Sequence, residues 1–89
     1  MNTGPYGVEG ATMGSHMADV MIHIDETLSE ESLKRIEASV REDVCVISAG
    51  VPAGNPHMML VAYNPDGVSA TDILARVKNA GVHAELVGM

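Results

Sequence analysis

The spacing of apolar residues switches period along this chain, and that switching limits the fold more than any other feature. Val20, Ile22 and Ile24 alternate with Met21, His23 and Asp25, the period of two that marks a half-buried strand. Leu33, Ile36 and Val40 then recur at i, i+3 and i+7, which puts them on one face of a helix. On its other face Glu30 precedes Lys34, Glu31 precedes Arg35 and Glu37 precedes Arg41 at i, i+4, a spacing that adds about 0.2–0.5 kcal/mol per pair.

The period returns to two and then to helix. Val44 to Gly50 is short and β-branched and predicts a second strand, with Cys45 inside it. Gly50 to Pro56 carries two prolines and reads as a loop, and Met58 to Tyr63 is a third strand. Asn64-Pro65-Asp66-Gly67 has the residues of a type I turn. Ser69 and Asp72 frame the start of a second helix with Val68, Ile73, Leu74 and Val77 as its apolar stripe, and Gly81 ends it. Val82 to Val87 alternates again. The order βαββαβ folds most simply as an α+β, ferredoxin-like sandwich: a four-stranded antiparallel sheet in order 4-1-3-2, with two helices on one face.

Residues 1–16 are rich in glycine and small residues, show no apolar period, and run into Gly14-Ser15-His16-Met17. They read as a cleaved expression tag, expected to be disordered and excluded from the fold. Residues 17–89 are then a single domain with one core. No apolar run approaches the ~18 residues of a membrane span, and no segment has a secretory layout, so a cytoplasmic protein is expected.

Twelve acidic residues against five basic ones give a net charge of −7. Phosphate backbones reward positive charge, so nucleic acid and anionic membrane surfaces are poor partners, whereas a basic protein is welcome. With two tyrosines and no Trp or Phe, there is no aromatic platform for bases. The single cysteine excludes an internal disulfide.

With the elements placed, the chain resembles the heavy-metal-associated domain family, the small modules of copper chaperones, mercury-binding proteins and metal-pumping ATPases. Tyr63 to Gly88 resembles that family's third strand, second helix and last strand, and Leu33-Lys-Arg-Ile-Glu37 the start of its first helix. The resemblance implies a Met-x-Cys-x-x-Cys clasp at the first strand-to-helix corner. Here that corner reads Thr27-Leu-Ser-Glu-Glu-Ser32, with Thr27 at the methionine position and Ser29 and Ser32 at the cysteine positions. Thiolates at a helix N-terminus suit soft metals; serine hydroxyls stay protonated and are hard, weak donors. The stretch reads instead as a helix start, with Thr27 and Glu30 in a capping-box pattern, Ser29 as a second cap, and Glu30 and Glu31 in the first turn.

Other candidates carry less. Cys45 has no histidine spaced for a nucleophile. His23, His83 and Glu85, with His57, Met58, Met59 and Met21, are an alternative imidazole and thioether set for a metal ion, the first three on the open sheet face. Asp25, Glu26, Glu30 and Glu31 cluster without the glycine turn of a calcium loop. The Gly50–Pro56 loop lacks the Lys and Ser/Thr of a phosphate loop. No acid/base pair or triad is visible, so no enzyme and no cofactor are expected. Three readings follow. The first is an interaction module docking a protein through Asp25, Glu26, Glu30 and Glu31 beside Lys78. The second is a metal carrier with His and Met ligands, and the third a homo-oligomer formed through the open sheet face or an edge strand.

Overall fold

A computed structural model describes residues 17–87; residues 1–16, expected to be a tag remnant, lie outside it, as do the last two residues. The elements are β1 (Ala18–Ile24), α1 (Glu30–Arg41), β2 (Val46–Gly50), β3 (Met58–Tyr63), α2 (Ala70–Lys78) and β4 (Ala84–Val87). The sheet order is β2-β3-β1-β4 with every neighbour antiparallel. The expected ferredoxin-like sandwich and its 4-1-3-2 order are therefore present.

Strand β1 sits between β3 and β4 and sets the core. Val20 lies opposite Val61, Ile22 opposite Met59, and Ile24 opposite Ala84. Ile22, Ile24 and Met59 are completely buried, as are Val40 of α1 and Ile73 and Val77 of α2. Each such side chain contributes about 1.5–3 kcal/mol relative to exposure. The period-2 strand faces and period-3.6 helix stripes thus meet in one apolar layer. Along α1 the pairs Glu31–Arg35, at 2.9 Å, and Glu37–Arg41, at 3.6 Å, form as expected. Glu30 and Lys34 form no ion pair among the described residues.

The second helix starts on a complete capping box. The Ser69 hydroxyl accepts the Asp72 amide at 3.0 Å, and the Asp72 carboxylate accepts the Ser69 amide at 3.4 Å. Gly81 follows with φ of 88°, the left-handed conformation that lets the chain leave the helix. Arg76 joins the helices, donating to the Ser39 carbonyl at 3.1 Å and reaching within 3.8 Å of the Asp43 carboxylate.

Two strand boundaries differ from the sequence pattern. Val44 and Cys45 precede β2 because Asp43 holds them in a turn: its carboxylate accepts the Cys45 amide at 2.8 Å and its carbonyl the Val46 amide at 3.0 Å. Val44 is consequently 96% exposed, and a bulge between Val46 and Ser48 displaces Ile47 from the ladder. At the other end Val82 and His83 precede β4, because the His83 amide is taken by the Glu26 carboxylate.

The Asn64–Gly67 turn closes as expected. The Asn64 side chain accepts the Asp66 amide at 2.9 Å, and its carbonyl accepts the Gly67 amide at 3.1 Å. The same turn docks on Cys45, whose carbonyl accepts the Asn64 amide at 2.7 Å. A methyl group on Gly67 would collide with the Cys45 sulfur and lie 3.2 Å from its Cβ. Gly67→Ala is expected to cost about 1–3 kcal/mol as an overpacking change. In a Cys45→Ala background, which removes the sulfur and keeps the Cβ, most of that penalty should be relieved, so denaturant unfolding of the four members of this double-mutant cycle checks the contact.

Candidate functional site

The β1–α1 corner is built by a helix cap. Ser29, extended at φ −67° and ψ 159°, accepts the Ser32 amide through its hydroxyl oxygen at 3.1 Å. That hydroxyl also donates to the Ser32 hydroxyl at 3.1 Å. Ser29 is thus the cap, and Thr27 is not: its hydroxyl lies 3.5 Å from His57 Nε2 instead. Glu30 and Glu31 occupy the first turn, where the helix dipole favours negative charge.

Both positions that the family resemblance assigns to metal cysteines are therefore committed to starting α1. Two protonated hydroxyls bonded to each other and to a backbone amide offer a soft cation neither charge nor polarizable sulfur. The corner does not fit the ion that such a clasp would hold.

The alternative ligand set is brought together only in part. Across the open face His23 lies between Met58 on β3 and Glu85 on β4. The His57 ring stacks on His23 with centroids 6.1 Å apart and planes 19° from parallel. His57 Nδ1 donates to the Ile24 carbonyl at 2.9 Å, since a carbonyl only accepts, and Nε2 faces the Thr27 hydroxyl at 3.5 Å. His23 Nδ1 is 3.2 Å from an Asp25 oxygen but out of hydrogen-bond alignment, a buried ring nitrogen without a hydrogen-bond partner. His83 is drawn away to Glu26. Among the described residues no three His, Cys, Asp or Glu side chains converge on a point where a metal ion could sit.

The Glu26–His83 contact has no local signal in the sequence. The Glu26 carboxylate accepts the His83 backbone amide at 2.9 and 3.1 Å, one from each oxygen, and the His83 ring Nδ1 at 2.7 Å. It ties the corner to the segment that follows α2, and Asp25 adds a backbone bond to the His83 carbonyl at 2.9 Å. The side-chain hydrogen bond to His83, then the backbone one, holds the Glu26 pKa below its ordinary value. The same side-chain bond, followed by the charge of Glu26, raises that of His83, with Asp25 adding to the rise and Lys78 opposing it. Asp25, Glu30, Glu31 and Lys78 are exposed around this clasp.

A groove of about 300 Å³ opens beside the corner, between the start of α1 and the β2–β3 loop. Leu28, Leu33, Val51 and Pro52 line it together with two carboxylates, Glu30 and Glu37, and one cation, Lys34. No local pattern marks it, because it joins the start of α1 to a loop some twenty residues further along the chain.

The sequence matches no family model and no curated protein. The fold, however, is shared with solved copper-binding domains. The N-terminal domain of a potential copper-translocating P-type ATPase from Bacillus subtilis is 24% identical, with a TM-score of 0.72 over 81% of this chain and 89% of that one. A yeast copper transporter domain is 16% identical, with a TM-score of 0.69 over 79% and 94%. The CopZ metallochaperone is 16% identical, with a TM-score of 0.67 over 79% of this chain and 100% of that one. The chain thus shares its fold with these domains, and no helix among the described residues is long and apolar enough to cross a membrane.

Ser29→Ala is expected to lower stability by about 0.5–2 kcal/mol, the usual cost of losing a helix cap, while Thr27→Ala leaves the thermal midpoint nearly unchanged; paired melts check both. The clasp also titrates. The lowered Glu26 contributes above its unfolded pKa and fades as pH falls through the folded one; the raised His83 contributes below its unfolded pKa and fades as pH rises through its folded one. The clasp is thus fully charged between the ordinary values of 4.5 and 6.5. An NMR titration should show the His83 ring protonating above the normal histidine range, and Glu26→Gln should return it there.

Proposed function

We propose that this is a non-enzymatic interaction module on the fold of metal-carrying domains, acting in the cytoplasm and docking a basic protein segment at its β1–α1 corner. The observation that carries the reading is the Ser29–Ser32 cap, which occupies the place of a metal clasp and leaves an ordered acidic corner. Asp25, Glu30 and Glu31 supply negative charge there, and Glu30 makes no ion pair among the described residues. The adjoining groove sets apolar side chains beside two carboxylates, Glu30 and Glu37, against one cation, Lys34, a net acidic lining that suits a Lys or Arg side chain with its aliphatic stem. Glu26 holds this corner to the segment after α2, so Lys78 and the turn beside it belong to the same surface. The fold neighbours include a metallochaperone and ATPase domains, and a protein partner is in keeping with that company.

A metal carrier with relocated His and Met ligands is the rival reading. The stacked His23 and His57 rings favour it.

The two are separated by amide NMR. A short Lys/Arg-rich peptide should shift resonances from Asp25 to Leu33 and around Val51, weaken with salt, and lose its effect in a Glu30→Lys, Glu31→Lys variant shown to be folded by circular dichroism. Cu(I) added against a competing chelator should leave the spectrum unchanged. Tight Cu(I) uptake that moves His23, His57 or Met58 would overturn this reading in favour of the carrier.

A further inference from the structure

The outer edge of β2 is uncharged in a chain that is otherwise strongly acidic. From Val44 to Pro56 there is no Asp, Glu, Lys, Arg or His, although the whole chain carries −7. Strand β2 is hydrogen-bonded on one side only, to β3. Three large apolar side chains stay exposed around it: Val44 at 96%, Ile47 at 58% and Leu60 at 45%. Beside them Ser48, Gly50, Val51, Pro52 and Leu60 line an open concavity of about 460 Å³. The opposite edge, β4, is four residues long and carries Glu85.

Free edges invite pairing with another strand, and proteins usually guard them with charge, proline or a bulge. Here the strand bears no charge and no proline, and the bulge at Ile47 is its one guard. The bulge breaks the regular edge on the Val46 side and leaves Ser48 to Gly50 available.

Charge decides what can occupy this edge. A basic partner gains most at the acidic corner and little from a neutral strand. A second copy of this chain brings another −7, so two copies meet without opposing like charges only across neutral surface. A strand paired antiparallel with its own two-fold mate is self-complementary in its backbone groups. We propose that β2 is a self-association edge: two copies pair antiparallel along Ser48–Gly50, joining their four-stranded sheets, with Val44, Ile47 and Leu60 of each shielding the seam. The short regular run makes this a weak, concentration-dependent dimer.

Sedimentation equilibrium of the full chain, from micromolar to millimolar concentration at low and high salt, tests it. The expected result is a dimer that tightens with salt, because screening removes the repulsion between acidic copies. Ile47→Glu and Ser48→Glu should each weaken association at least about tenfold, the effect of losing ~1.4 kcal/mol, while far-ultraviolet circular dichroism shows each monomer folded. The Glu30→Lys, Glu31→Lys variant should still dimerise, which separates this edge from the acidic corner. Monomer at every concentration, a dimer that loosens with salt, or a dimer unaffected by both glutamate substitutions would overturn the proposal.

Discussion

Ile22 and Ile24 on β1 are completely buried between two hydrogen-bonded neighbours, and the rest of the molecule is arranged to keep water from them. Strand β3 brings Met59 and Val61 alongside, α1 contributes Leu33, Ile36 and Val40, and α2 contributes Ile73 and Val77. No disulfide assists, since the single cysteine is free. With so small a domain, side-chain burial has to supply the net stability. That requirement fixes which face of the sheet the helices cover and which stays open.

The constraint also fixes the corner. Helix α1 must begin close enough to the end of β1 for Leu33 to enter the core, so the connection is short and its first amides need partners. In a metal-carrying domain such a corner can serve two purposes, ending a strand and holding an ion. In this chain Ser29 and Ser32 serve the first alone. The Glu26–His83 clasp then secures the corner to the segment between α2 and β4, and it does so at pH values where carboxylate and imidazolium are both charged. The surface around it is acidic and ordered, which is what a docking site for a basic segment needs. The neutral β2 edge is a different kind of surface, suited to a like-charged copy where the corner is suited to an opposite charge.

The alternating residues of β1 and β3, the stripes of both helices, the capping serines and the turn at Asn64 were legible in the sequence, because each is decided by side chains within a few positions of one another. Cys45 shows where such reading stops. Its β-branched neighbours favour a strand, yet the Asp43 carboxylate takes its amide and the strand starts at Val46, two residues after the expected Val44. Thr27 matches the capping pattern as well as Ser29 does, yet the helix starts on Ser29, and the Thr27 hydroxyl lies 3.5 Å from His57 Nε2 instead.

Element order, the buried faces of β1 and both helices, and the lack of a thiolate pair at the corner follow from the sequence alone, since periodicity and residue chemistry are local properties. The three-dimensional packing alone brings Glu26 to His83, stacks His57 on His23 with its ring held by the Ile24 carbonyl, and places a bulge at Ile47 on the β2 edge. Those contacts join residues far apart along the chain, and their distances are set by strand register and layer packing, which no local pattern encodes.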